Sequence, residues 1–224
     1  MYDKIFEVSR ENMVNNQIIT NKVINSILID AILDLEKERF IPSSMASLTY
    51  SDSEIPFNST RSLMKTFVFA KMVEFCDVKQ NDSILVIGCL TGYSVAILSK
   101  LAGYVFGLDD NKDFTKRANK LLGEIACHNC SVSHGDLRDG LKKNRPFDKI
   151  IIEGAVESIP ENITDQLKDG GRIFAIFKDE KSFNGQFMLG LMVDGLISYR
   201  HLFDANARNL EAFSNQDNKN DFKN

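Results

Sequence analysis

The strongest constraint on the fold is a series of short, almost wholly apolar segments separated by amphipathic ones, beginning near residue 66. Residues 83–88 (SILVIG), 104–108 (YVFGL), 147–152 (FDKIII) and 172–177 (RIFAIF) lack the steady apolar–polar alternation of a sheet with one wet face. Strands of this kind are buried on both sides, which calls for parallel neighbours and a helical layer above and below. Residues 67–75, 93–101 and 114–125 supply apolar positions at helical spacing, 163–167 a shorter helix, and 130–134 a weaker strand. Two final apolar runs, 187–193 and 196–203, flank Asp194-Gly195, a strong hairpin signal. The pattern predicts an α/β fold with a doubly wound, mostly parallel seven-stranded sheet ending in an antiparallel hairpin.

The N-terminal part is different. Ile18, Ile19, Val23, Ile27, Leu28, Ala31, Ile32 and Leu35 recur near helical spacing, with Asn21 or Asn25 placed to cap a segment. Phe40-Ile41-Pro42 ends the run, because a residue before proline avoids the α region. Residues 43–62, rich in Ser, Thr, Asp and Asn, read as a long loop, and such loops are often functional. We expect one domain over 1–213, with a helical cap and loop through residue 65 and the α/β core over 66–213. Residues 214–224 are expected to form a polar, disordered tail.

Composition narrows the function. The 224 residues are 43% hydrophobic. A chain this long buries about 70% of the surface it exposes unfolded, enough for a full core without disulfides or a structural metal. A formal charge of −4 argues against a broad nucleic-acid or anionic-membrane surface. The charged N-terminus does not read as a signal peptide, and no apolar run approaches the ~18 residues of a membrane span. A cytoplasmic protein is expected, with its four cysteines as reduced thiols. Cys127-His128-Asn129-Cys130 lacks the further ligands that a zinc site of about four donors needs, so no metal is expected. His134 and His201 read as partly buried strand-end residues, with substrate contact as the rival role. Asp179-Glu180-Lys181 reads as a solvated turn, and Phe174, Phe177, Phe183, Phe187, Phe203 and Phe213 as core.

Chemistry concentrates at residues 84–93 (ILVIGCLTGY), where a buried strand enters a glycine-containing turn and then a helix. Gly88 permits the turn and Gly92 a close approach of backbone to ligand. Asp109 ends the next strand, at the sheet end where open α/β folds bind ligands, and a carboxylate there can accept both hydroxyls of a ribose. This points to a nucleoside-containing cofactor. A dinucleotide fingerprint starting at Gly88 needs glycine at 90 and 93, where the chain has Leu90 and Tyr93.

The order of motifs along the chain resembles the protein-L-isoaspartate O-methyltransferase family, S-adenosylmethionine-dependent enzymes of class I. Met13-Val14 with Gln17-Ile18 resembles its M-V-x-x-Q-[IL], and Arg39-Phe40-Ile41-Pro42 its R-x-x-F-V-P. Tyr50-Ser51-Asp52 and Ile55-Pro56 resemble the segment before its substrate loop. Ile84 to Tyr93 resembles V-L-[ED]-[IV]-G-x-G-[ST]-G-Y. Gly135-Asp136, Pro146-Phe147-Asp148, Ile159-Pro160 and Gln166-Leu167-Lys168 with Gly170-Gly171-Arg172 follow in the family's order.

The resemblance implies a Rossmann-like methyltransferase that transfers a methyl group from S-adenosylmethionine to the α-carboxyl of L-isoaspartyl residues in damaged proteins. It places Gly88, Leu90 and Gly92 beside the methionine part of the cofactor and Asp109 on the ribose. Asp136 and Leu137 fall near the adenine, and Glu153, where the family has T-A-A, near the transferred methyl. Residues 58–66 become the loop over the substrate. There the chain departs from the family's G-Q-T-I-S-Q-P: Met64 replaces the serine near the accepting carboxylate, and the loop offers Ser59, Thr60, Arg61, Ser62 and Lys65 as candidate partners for it. A guanidinium can grip a carboxylate through two bonds, which a serine cannot. Val86 and Leu90 also depart from the cofactor motif. A methyltransferase acting on another acceptor, or a non-catalytic binding module, are the rival readings.

Overall fold

A computed structural model of the chain describes residues 2–179 and 182–214. Helix α1 (Tyr2–Met13) runs into a π-helical turn (Val14–Ile18) and a 3-10 turn (Ile19–Asn21), and stops where Lys22 turns left-handed at φ 63°. The chain restarts as α2 (Ser26–Asp34). Of the two asparagines predicted as caps, Asn25 takes the role, accepting the Leu28 N–H at 3.1 Å. Asn21 instead donates its side-chain amide to the Gln17 carbonyl.

The stretch predicted as loop over 43–62 is partly built. Ser43–Leu48 is 3-10 helix, and β1 (Ile55–Pro56) pairs antiparallel with β2 (Ser62–Leu63). Asn58 makes the reversal: its Oδ1 accepts the N–H groups of Thr60 and Arg61 at 2.9 and 2.7 Å. A side chain closing its own turn leaves no periodicity to read.

The core follows as α3 (Thr66–Cys76), β3 (Ser83–Ile87), α4 (Tyr93–Ser99), β4 (Tyr104–Asp109), α5 (Lys112–Glu124), β5 (Cys130–His134), β6 (Phe147–Val156), α6 (Glu161–Thr164), β7 (Leu167–Phe177), β8 (Gln186–Val193) and β9 (Leu196–Asp204). The sheet order is β5-β4-β3-β6-β7-β8-β9, parallel from β5 to β7 and antiparallel for β8 and β9. This is the seven-stranded, doubly wound sheet the sequence predicts. Asp194 and Gly195 both take left-handed φ, 50° and 76°, as a two-residue hairpin turn requires. Strand β6 runs past the predicted 152 because a register shift between Ile151 and Ala155 lets pairing with β7 resume. Strand β7 starts at Leu167, where the sequence placed the end of a helix.

Both sheet faces are dry. Ile84, Val86, Ile151 and Phe174 pack on one side with α3, α4 and the cap, and Leu85, Ile87, Ile150 and Ile152 on the other with Ile163 and Phe213. Lys37, buried between cap and core, donates to the Thr49 carbonyl at 2.8 Å and Thr66 Oγ1 at 2.7 Å. Burial pushes its amine down to about 7.

Four expectations are corrected. Phe183 is 95% exposed, since it lies in the connection before β8 and not on a strand; the other five phenylalanines are buried or half-buried. His134 and His201 are exposed, because β5 and β9 are the sheet's two edges. Cys127 and Cys130 form a disulfide where two thiols were expected; Ala126 turns left-handed at φ 53° after α5 and folds the chain back. Ser214, assigned to the tail, is buried, while 215–224, Glu180 and Lys181 lie outside the described residues. Among the described residues no helix is long and apolar enough to cross a membrane.

Phe187 is fully buried against Phe174 and Phe203. In chemical denaturation Phe187→Ala should cost about 3–5 kcal/mol. Phe183→Ala should stay within about 0.5 kcal/mol of the parent.

Candidate functional site

The sheet changes direction at β3: β4 and β5 lie to one side and β6 to the other, so the carboxyl ends of β3, β4 and β6 border the crevice where such folds bind ligands. Three of the five residues after β3 are left-handed, Gly88 (φ 81°), Leu90 (φ 50°) and Gly92 (φ 85°). A Cβ on Gly88 would stand 3.3 Å from the Glu153 carbonyl and 3.4 Å from both Arg61 Nη2 and Leu210 Cδ1. Gly92 does not face the crevice. A Cβ there would meet the Ala118 methyl at 3.2 Å, so its smallness serves the packing of α4 on α5. Leu90 holds a backbone conformation that costs an ordinary L-residue about 1–2 kcal/mol. Its buried side chain and its N–H bond to Asp109 at 2.8 Å keep it there.

Asp109, at the end of β4, is fully buried, and its carboxylate is saturated. Oδ2 accepts from the Leu90 N–H and from Arg61 Nη2 at 2.7 Å. Oδ1 accepts from the Asn111 N–H at 3.0 Å and from Arg61 Nη1 at 3.4 Å. Arg61 also donates to Asp110 Oδ1 at 2.6 Å and to the Gly88 carbonyl at 3.1 Å. Burial raises the Asp109 carboxyl above its ordinary range, and the Arg61 guanidinium is the main influence opposing it. Removing one partner of such a buried pair typically costs about 3–5 kcal/mol.

The backbone presenting Arg61 is pinned. Its N–H is held by Asn58, its carbonyl accepts the Phe57 N–H at 2.9 Å, and Arg208 donates to the Ser59 carbonyl at 2.9 Å. Arg208 belongs to a segment after β9 that returns along β6. The Ala155 N–H donates to the Arg208 carbonyl and the Leu210 N–H to the Ala155 carbonyl, at 2.9 and 2.8 Å. That pairing sets Leu210 over Gly88 and Gly154; a Cβ on Gly154 would come within 2.5 Å of Leu210 Cγ.

Glu153 stands near the carboxyl end of β6, 5% exposed. Its Oε2 accepts from the Ser94 hydroxyl at 2.8 Å and its Oε1 has no partner. Burial pushes this carboxyl up to about 8, with the Ser94 hydrogen bond opposing, so it is largely protonated at neutral pH. Asp136 is exposed after β5 and caps the turn Leu137–Asp139, accepting the Arg138 N–H at 2.8 Å. The preceding Gly135 N–H donates to the Asp109 carbonyl at 3.1 Å, which sets Asp136 and the buried Leu137 beside the crevice.

The structure thus brings Gly88, Leu90, Asp109, Glu153 and Arg61 together at one crevice. Ser62 and Met64 are directed elsewhere: the Ser62 hydroxyl donates to Glu54 at 2.8 Å, and Met64 is buried in the core. Sequence reasoning missed Leu210, Arg208 and Asp110. The first two read as ordinary residues after a hairpin, and no local pattern marks their return to β6.

A model of the protein-L-isoaspartate(D-aspartate) O-methyltransferase family matches residues 8–187. The chain belongs to this family. A protein-L-isoaspartate O-methyltransferase of Aliivibrio salmonicida (strain LFI1238) is 32% identical over 165 residues, 74% of this chain and 79% of the relative. Protein-L-isoaspartate O-methyltransferase 2 of Shewanella sediminis (strain HAW-EB3) is also 32% identical, over 74% of this chain and 68% of its own. Among solved structures, a protein-L-isoaspartate O-methyltransferase superposes with a TM-score of 0.77 at 19% identity, covering 96% of this chain and 67% of that one. A putative protein-L-isoaspartate O-methyltransferase from Plasmodium falciparum, in complex with S-adenosyl-L-homocysteine, gives 0.74 at 16% identity, covering 92% and 98%. In this isoaspartate methyltransferase family member, Arg208 and Leu210 fall beyond the span that the family model matches.

The raised Glu153 carboxyl fixes a pH dependence. The folded chain holds a proton there up to about 8, whereas an unfolded glutamate releases it near ~4.3. Its contribution to stability is therefore fully present below ~4.3, falls progressively as pH rises from there, and is lost once pH passes about 8. Glu153→Gln removes that loss, so the denaturation midpoints of parent and variant should draw apart from about pH 5 to about 8 and run parallel above it, with the variant the more stable. Curves that stay parallel from pH 5 to 9 would contradict the buried, protonated assignment.

Proposed function

We propose that this chain transfers a methyl group from S-adenosylmethionine to the α-carboxyl of L-isoaspartyl residues in damaged proteins, as a cytoplasmic repair enzyme. The observation that carries this reading is the enclosed Asp109 carboxylate beside the Gly88 turn, at the point where the sheet reverses, in a chain of this family.

The residues fit the cofactor. A carboxylate ends β4 for a ribose, the Gly88 turn has the bare backbone a ligand can approach, and Glu153 Oε1 is a buried polar atom with no partner. Of the three atoms nearest a Cβ on Gly88, Arg61 Nη2 and Leu210 Cδ1 are the ends of flexible side chains and the Glu153 carbonyl is backbone. Asp109 would hold the ribose hydroxyls, with Gly88 and Leu90 along the methionine part and Asp136 and Leu137 toward the adenine. S-adenosylmethionine, when bound, supplies an electrophilic methyl group on a sulfonium.

The chain's own task is then chiefly positioning. An α-carboxylate has an unperturbed pKa near ~3.5 and is ionised at neutral pH, so no protein base has to remove a proton. Holding acceptor and donor in line can contribute several kcal/mol. The low dielectric around Asp109, Glu153 and Leu210 strengthens each polar contact made there. Protonated Glu153 adds no second negative charge to repel an incoming carboxylate.

Base-labile label should pass from S-adenosylmethionine to an L-isoaspartyl peptide and not to its normal aspartyl isomer. Asp109→Asn, which keeps shape and loses charge, should lower affinity for S-adenosylhomocysteine at least tenfold. Label on neither peptide, or unchanged affinity in Asp109→Asn, would contradict the reading.

A further inference from the structure

The guanidinium of Arg61 takes one bond on each oxygen of Asp109, and the Leu90 and Asn111 N–H groups take the others. Those two backbone donors are fixed by the turn after β3 and by the start of α5. Any ligand that needs two acceptor positions on this carboxylate must therefore take the two held by Arg61. A ribose with its paired hydroxyls is such a ligand. The two modes use the same lone pairs and exclude each other.

Arg61 is built to let go at the side chain alone. Its backbone is fastened by Asn58, Phe57 and Arg208, so the loop does not have to unfold. Its other carboxylate partner, Asp110, is 46% exposed, against 0% for Asp109. A guanidinium turning outward keeps Asp110 and remains charge-paired while it leaves the buried oxygen atoms. Outside Asp109 it stands on the loop that borders the crevice, with a planar fork suited to a second carboxylate.

We propose that Arg61 exchanges carboxylates. In the cofactor-free protein it closes the ribose site by pairing with Asp109, and once a ribose occupies Asp109 the freed guanidinium binds the α-carboxylate of the substrate. Cofactor binding thereby prepares the acceptor site, and the two substrates bind in that order. This rests on the S-adenosylmethionine reading above. It also gives the loop's substitution of Met64 for the family serine a consequence: the carboxylate partner is Arg61, three residues earlier, and it is available only in the loaded protein.

The test uses the full chain with Arg61→Met, which keeps the bulk of the stem without the charge, and Arg61→Lys, which keeps the charge without the fork. Circular dichroism first checks that both fold. Isothermal titration with S-adenosylhomocysteine then reads the ribose site, and the KM for an L-isoaspartyl peptide reads the acceptor site. Arg61→Met should bind S-adenosylhomocysteine at least tenfold more tightly than the parent, while its peptide KM rises at least tenfold. Arg61→Lys should recover part of the peptide KM. A merely structural role would weaken both, so affinity for S-adenosylhomocysteine that is equal or lower in Arg61→Met overturns the exchange and leaves the cofactor reading standing. An unchanged peptide KM overturns it as well. No heat with the parent or either variant overturns the cofactor reading itself, and the inference with it. If both variants fail to fold, modification of the Arg61 guanidinium in the parent by phenylglyoxal, read by peptide mass, decides: acceleration by S-adenosylhomocysteine supports release of the side chain, and unchanged modification overturns it.

Discussion

One buried carboxylate organises the working end of this protein. Asp109 sits at the end of β4 with no exposure to solvent, and a charge in that position survives only with its hydrogen bonds complete. The Leu90 N–H, the Asn111 N–H and the Arg61 guanidinium complete them, and each fixes something else. Leu90 is held left-handed, which shapes the turn after β3. Asn111 is held at the N-cap of α5, where its own side chain accepts the Asp113 and Phe114 N–H groups. Arg61 draws the β1–β2 hairpin down over the crevice. The turn, the helix start and the lid are thus three consequences of satisfying one acid.

The second layer of closure comes from far along the chain. Pairing of residues 208–210 with Ala155 seats Leu210 on Gly88 and Gly154, and Arg208 fastens the hairpin that carries Arg61. Gly154 is required by that contact, since any side chain would collide with Leu210. Glu153 is buried beside it and kept protonated, with one oxygen on Ser94 and one unpartnered. The crevice therefore holds one paired charge and one neutral acid.

The sheet was largely legible in the sequence because a buried parallel strand announces itself by what it lacks, namely polar alternation. The runs at 83–88, 104–108, 130–134, 147–152 and 172–177 and the pair flanking the Asp194-Gly195 turn sufficed for strand number, direction and order of appearance. Strand ends were less legible: β6 continues past 152 through a register shift, which depends on its neighbour β7 and not on its own residues. The hairpin inside 43–62 was hidden because Asn58 closes it with one side chain. Phe183 and the two strand-end histidines went the other way, since hydrophobicity and proximity to strands say nothing about which strands form the edges.

The crevice was legible where it is local. Gly88 and Asp109 stood out because each closes an apolar run that the sequence alone marks as a buried strand. Arg61 was visible as a carboxylate partner, but its partner in the resting protein is Asp109, 48 positions away. Leu210 and Arg208 left no signal, because a segment returning to cover a strand does so through tertiary packing. The most direct measurement of the central claim is a double-mutant cycle of Arg61→Met and Asp109→Asn in chemical denaturation. If the buried pair organises the site, the two losses should fall short of additivity by about 2 kcal/mol or more. Losses that add within about 0.5 kcal/mol would mean that the two side chains act independently, and would contradict it.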